Sequence, residues 1–384
     1  MKDATLKAAI SALAIAAGAV GAQAEQWPNL PVGVKNGVAG QNGVQVFVGL
    51  GSAGDALYIL DTSAPEADWK ALAAFPGPVP SGAASVVAGG KFYVFSGSGK
   101  ANADDVSPII FTDVYVYDPA GDSWSRLDTE TPVGLLGASA YAIDEDRIAI
   151  FGGYNKELFD KYLLDVSTTD QKAEPEKWQD IVNAYMGMEP EGYRWNDEVL
   201  VYTISTNSWS SLGNNPYLPN CGAALVAEDD GLMLINGEIK PGLRTPQIKQ
   251  VTFDGDALSW TQLAPVPARP GDDLQEGLAR AYAGYSDGVL LVAGGANFPG
   301  ARANAFAGKW FAHEGLPKTY NAEIYARVDG AWKVASTLPT GLAYGASFQL
   351  PGGVLAVGGE DTERNARTDV FLMSWDGGAV TITD

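Results

Sequence analysis

Apolar and polar positions along this chain alternate in short runs, and one segment alone keeps a helical period. Six apolar runs end at or near a glycine pair: FVGLG (47–51), FSGSG (95–99), FGGY (151–154), INGE (235–238), AGGA (293–296) and VGGE (357–360). A strand of small residues leads into each run. A loop of variable length follows, then an alternating aromatic strand, a turn and a tryptophan strand ending in leucine. These outer stretches are LYILD (57–61, with Trp69 after it), VYVYDPAGDSWSRL (114–127), VLVYTISTNSWSSL (199–212), QVTFDGDALSWTQL (250–263), EIYARVDGAWKVASTL (323–338) and VFLMSWDGGAVTIT (370–383), the last without its late tryptophan. Period-two alternation bounded by Gly, Asp, Asn and Ser clusters predicts strands.

Each unit therefore reads as four antiparallel strands. Six such units predict an all-β, six-bladed β-propeller, and the aromatic-turn-Trp order of YVYDPAGDSWSRL and VYTISTNSWSSL is that of kelch blades. A lone four-stranded sheet cannot bury both faces, so each tryptophan is expected between neighbouring blades. The glycine pairs are expected where the chain leaves a crowded inner strand. The hairpin through Val380 to Thr383 is expected to finish the last blade, with Trp27-Pro28-Asn29-Leu30-Pro31 helping to close the ring.

The third unit is the longest, with its excess at about 155–197. Within it EPEKWQDIVNAYMG (174–187) has helical spacing, with Trp178, Ile181, Val182 and Tyr185 on one face. A partly helical insertion on a β ring is either a lid over one mouth or a packing surface for a partner. A smaller excess in the fifth unit, 294–323, is rich in Arg, Lys and aromatics and holds His313, the one histidine.

The first residues change the picture of the compartment. Lys2 and Lys7 precede an apolar, alanine-rich run, and Ala22-Gln23-Ala24 is a small-x-small cleavage site. Residues 1–24 read as a signal peptide, with the propeller at 25–384 exported to the periplasm. The formal charge is −21, and loss of Lys2, Lys7 and Asp3 with the leader (net +1) leaves −22. Such a surface disfavours nucleic acid and anionic membranes as partners. Any anion site must be built from local cations. Cys221 is the only cysteine, so no intrachain disulfide is possible. The sequence leaves open a homodimer.

One Cys and one His make a nitrogen/sulfur metal site implausible, and no metal or organic cofactor is expected. Copper-radical oxidases share the kelch propeller but need two histidines and a Tyr-Cys crosslink. DPAGDSW superficially resembles a sialidase Asp box, while the glycine pairs and aromatic spacing favour kelch. What remains is the set of residues after the glycine ends, which ring one mouth of the channel: Leu50, Ser98, Tyr154, Glu238, Ala296 and Glu360. Glu238 stands out as a catalytic candidate because Lys240 and Arg244 lie so close. Arg244 can grip a carboxylate with two N–H bonds, or serve as an inter-blade salt bridge. Further binding candidates are Asn297, for a hydroxyl or amide, and Arg302, Lys318 and His313. Glu360 reads first as a solvated loop residue beside ERNAR.

NGEIKPGLRT (236–245), AHEGLPKTY (312–320), VGLGSAG (48–54) and ALAAFPG (71–77) resemble stretches of the bacterial N-acetylneuraminate epimerase family. The resemblance runs from about Val32 to the C terminus and includes the third-blade insertion. It implies a periplasmic sialic acid mutarotase that interconverts the α and β anomers. It makes Glu238 the proton acceptor and Arg244 a partner for the sugar carboxylate. Lys240, His313 and water stay open as the general acid. Members of that family often carry an arginine before AYG in the last blade; this chain has Leu342 there, and Tyr344 remains as a binding candidate. The rival readings are a propeller that only binds an acidic sugar, and a lyase or hydrolase using Glu360 as a second acid.

Overall fold

The alternating runs become six four-stranded antiparallel sheets, each built from one contiguous stretch of chain. The computed structural model describes residues 27–64 and 68–384; the expected leader at 1–24 lies outside them. The innermost strands are Val38–Asn42, Ala84–Ala88, Ser139–Ala142, Ala224–Glu228, Tyr282–Ser286 and Ala346–Leu350. Each touches the next around the axis, and the sixth touches the first. These strands carry small residues because they converge. A Cβ on Gly40 would lie 2.7 Å from the Phe92 ring, and one on Gly284 would lie 2.9 Å from Val354.

The tryptophans sit between blades as expected. Trp124 Nε1 donates to Ala73 O of blade 1 (2.9 Å), Trp209 Nε1 to Thr129 Oγ1 of blade 2 (3.2 Å) and Trp332 Nε1 to Ala264 O of blade 4 (3.2 Å). Each indole thus half-buries its ring and satisfies its N–H on the preceding blade. Burying an aromatic of this size removes on the order of 200 Å² from water, worth roughly 4–5 kcal/mol before entropy.

The glycine pairs lie at the ends of the second strands, one strand out from where the sequence put them. Neighbouring backbone crowds them there. Gly237 (φ 92°) could not hold a Cβ without bringing it to 2.7 Å from Cys221 O. Blade 6 is completed by Val380–Thr383 pairing with Val370–Trp375. The segment around Trp27–Val34 is a clasp, not an outer strand. Leu30 N donates to Thr368 O, Val34 N to Arg367 O and Gly359 N to Val34 O, while Trp69 of blade 1 reaches Pro28 O.

Where the chain enters each inner strand, six backbone bonds close a belt around the axis. Gly82 N donates to Asn36 O, Gly137 N to Gly82 O, Gly222 N to Gly137 O, Arg280 N to Gly222 O, Tyr344 N to Arg280 O and Asn36 N to Tyr344 O, all at 2.7–3.0 Å. All six residues have positive φ, from 51° to 77°.

The third-blade insertion holds two helices. α1 (Lys156–Thr168) is capped by Asn155, whose side chain accepts from Leu158 N. α2 (Pro175–Met186) is the expected helix; Val182 and Tyr185 are buried, Trp178 and Ile181 half-buried. Tyr162 of α1 stacks on Tyr185 of α2 at 4.1 Å. A short α3 (Ala301–Phe306) lies in the fifth-blade excess. Among the described residues no helix is long and apolar enough to cross a membrane.

Candidate active site

The stretch NGEIKPGLRT folds into a hairpin on one mouth of the ring. Asn236 (φ 58°) and Gly237 turn the chain out of its strand. Glu238–Lys240 then pairs with Leu243–Arg244 across Pro241-Gly242, the residue order of a type II turn, with Gly242 at φ 80°. The register sets Glu238 opposite Arg244. Arg244 Nη2 lies 2.7 Å from Glu238 Oε1, and Tyr154 OH donates to Glu238 Oε2 at 2.8 Å. The carboxylate is thus gripped on both oxygens, yet its side chain keeps 18% exposure, against 4% for Arg244.

Arg244 is held in this arrangement through Nη2 and Nε, with Nη1 buried and unpartnered. Its Nε donates to Ala296 O (3.2 Å) and its guanidinium lies 4.8 Å from the Phe298 ring centre. Burial is the largest influence and opposes its charge, but Glu238, Tyr344 and Tyr154 together outweigh it and raise its pKa. Burial, then the Glu238 charge, push the Tyr154 hydroxyl well above its ordinary pKa, so it stays a donor. Tyr154 is fixed by stacking on Trp195 at 4.3 Å.

Glu238 faces a cavity of about 260 Å³, near the lower end of the range for single-ligand pockets. Its polar wall includes Tyr154, Asn36, Ser81, Tyr344 and Arg280. Phe159 of α1 and Tyr185 and Met186 of α2 form an apolar wall, so the insertion covers this mouth as a lid would.

The remaining sequence candidates fall elsewhere. Lys240 is fully buried; its Nζ donates to Met186 O (2.7 Å) and Trp310 O, tying the hairpin to both insertions. Burial lowers its pKa to about 8. His313 packs on Gly242, where a Cβ would lie 1.7 Å from Nδ1, and between Phe298 and Phe311. Burial and the Arg244 charge lower its pKa to about 4. Asn297 is buried and donates to Gly277 O (3.0 Å). Arg302 donates to Gln275 O (2.6 Å) and covers Phe306. Neither Asn297 nor Arg302 lines the cavity.

Glu360 is not solvated. It is buried, 2.5 Å from Lys35 Nζ and 3.4 Å from Lys318 Nζ, and it accepts from Tyr320 OH. Burial works against its charge, but these donors win and its pKa falls below the ordinary value. It does not line the Glu238 cavity, which removes the second acid that a lyase or hydrolase reading needs. Leu342 is buried in the blade 5–6 core and does not line the Glu238 cavity.

Sequence reasoning missed Arg280. Its signal lay in the repeats: at the belt position where blades 2, 3 and 4 carry Gly82, Gly137 and Gly222, blade 5 carries an arginine.

A family model described as N-acetylneuraminate epimerase matches residues 27–382. A Brucella melitensis protein named N-acetylneuraminate epimerase is 56% identical over 374 residues, covering 97% of this chain and 96% of its own length. A Vibrio vulnificus protein of the same name is 52% identical over 358 residues, 93% of each chain. The solved "Structure of YjhT" superposes with a TM-score of 0.87 at 36% identity, covering 93% of this chain and 99% of its own. With the fold, the Glu-Arg hairpin and matches of this extent in hand, the chain belongs to the N-acetylneuraminate epimerase family.

Proposed function

We propose that this protein is an isomerase that interconverts the α and β anomers of N-acetylneuraminate, with Glu238 as the base. The observation that carries the assignment is Glu238 itself: a carboxylate held on both oxygens by Arg244 and Tyr154, yet open to a sugar-sized cavity.

Mutarotation needs the proton of the anomeric hydroxyl removed and the ring oxygen protonated. The ring opens to the keto form, the bond beside the carbonyl rotates, and the ring recloses on the other face. A carboxylate in hydrogen-bond reach is a competent base. Both reacting oxygens sit on one carbon, so the carboxyl group that takes the proton from the hydroxyl can return it to the ring oxygen. No net proton is consumed. This assigns the acid step to the same residue, which suits a site where Lys240 is tied to carbonyls and His313 is neutral at pH 7. Arg244 and Tyr154 fix the carboxylate's orientation, and the aromatic wall from the insertion limits water. The signal-peptide character of residues 1–24 in the sequence supports a periplasmic location for this chemistry.

Exchange spectroscopy on an equilibrium mixture of the anomers tests the reading. Cross-peaks between the α and β H3 protons should grow with added protein and vanish with Glu238→Gln. Binding without exchange would favour a propeller that only holds the sugar.

A further inference from the structure

Arg280 is the one Lys or Arg among the described residues lining the Glu238 cavity. Among the described residues no carboxylate lies in salt-bridge range of it, and its guanidinium makes no hydrogen bond to a protein group. The other cations around this mouth each have protein partners, although Arg244 Nη1 is left buried without one. Arg244 holds Glu238, Lys35 and Lys318 hold Glu360, and Lys240 holds two carbonyls.

The fold makes room for this side chain. It leaves the belt on blade 5, passes Gly222 of blade 4 and extends toward Gly82 of blade 2. A Cβ on Gly222 would lie 3.3 Å from Arg280 Nε, and one on Gly82 would lie 3.6 Å from Nη2. Gly222 thus leaves room for the path the arginine takes, and at Gly82 the guanidinium end lies within ordinary contact range. The guanidinium also faces the channel below, which small residues such as Ala39, Ser85 and Ala140 line. Arg280 itself adopts φ 55°, a left-handed conformation that a bulky residue adopts at a cost.

A half-buried cation without a counter-ion is unfavourable unless a ligand supplies one. Burial lowers the Arg280 pKa, yet a guanidinium stays charged at neutral pH. Its planar fork matches a carboxylate. We propose that Arg280 binds the carboxylate of the substrate, and so presents the adjoining anomeric carbon to Glu238. This rests on the mutarotase reading above. In a 2-keto sugar acid the carboxylate is bonded directly to the anomeric carbon. One anchor therefore fixes the reacting centre, and on an acidic protein it supplies the local positive charge an anion needs. Arg244, which the sequence suggested for this role, acts instead by positioning Glu238.

The test compares N-acetylneuraminate with its methyl ester, in which the carboxylate charge is removed. The variant is Arg280→Gly, because glycine occupies this belt position in three other blades and suits the left-handed backbone. The wild type should favour the acid over the ester in kcat/KM by about 10- to 100-fold, the worth of a charge-assisted pair. In Arg280→Gly the two should become equal within about 3-fold, and millimolar guanidinium ion should restore part of the preference. A wild type that does not discriminate, or a variant that keeps the full preference, overturns the proposal. Failure of the base assignment has a different signature: Glu238→Gln would stay active on both compounds while Arg280→Gly still lost its preference. If the wild type turned over neither compound, calorimetric titration of acid and ester against both proteins would decide the anchor by the same criterion.

Discussion

His313 is the single histidine in the chain, so its titration can be read without assignment. Three groups set its behaviour. Burial among Phe298, Phe311 and Gly242 removes water from the ring, and Arg244 adds nearby positive charge; Glu238 opposes them in part, and Lys240 adds a smaller positive influence. The outcome is a pKa lowered from 6.5 to about 4. At about 1.36 kcal/mol per unit, that corresponds to at most about 3 kcal/mol against the imidazolium. The folded pKa lies below the unfolded one. Between about pH 6.5 and 4 the unfolded chain binds a proton that the folded chain refuses, so this residue makes stability fall as pH falls through that window. Proton NMR of the imidazole Cε1–H should show a neutral ring down to about pH 5 and a midpoint near 4. His313→Asn should flatten the acid side of the stability curve, measured by urea unfolding at pH 4.5 and 7. A midpoint near 6.5 would refute the burial argument and return His313 to the list of proton donors.

Two further outcomes follow from the same geometry. Tyr154→Phe keeps the stack on Trp195 but removes the bond to Glu238 Oε2, and a hydrogen bond to a charged group is worth about 1.5–3 kcal/mol, so kcat should fall about 10- to 100-fold in the exchange assay with the melting temperature little changed. Lys240→Met leaves the Met186 and Trp310 carbonyls without their donor, so hydrogen exchange should quicken in α2 and around α3; it should also abolish a gain in stability between about pH 8 and 10.5, where the buried lysine is neutral in the folded state and charged in the unfolded one.

Most of the ring was legible because each blade repeats one physical solution. Alternation marked the strands, glycine marked the crowded strand ends, and tryptophan marked the inter-blade seams. The clasp at Trp27–Val34 was legible as a closing element but not in its form, because its partners lie in blade 6, more than three hundred residues away. α1 was hidden because its apolar residues Leu158, Phe159 and Tyr162 pack on α2 and the mouth, a surface only the fold creates. Within the site, proximity in sequence found Glu238 and Arg244, which a two-residue turn brings face to face. The same proximity misled for Lys240, which a register shift in the short hairpin accompanies and whose ammonium ends on carbonyls of the insertions. Arg280 stands apart from every charged candidate in the sequence and joins the site only through the closed belt.

The central claim is that Glu238 moves the proton. The most direct measurement is a proton NMR time course in which a sialidase releases α-N-acetylneuraminate and the α and β H3 signals are followed with and without the protein. The account predicts faster α-to-β conversion with the wild type and the spontaneous rate with Glu238→Gln, which keeps the shape and removes the base. Full acceleration by a folded Glu238→Gln would contradict it.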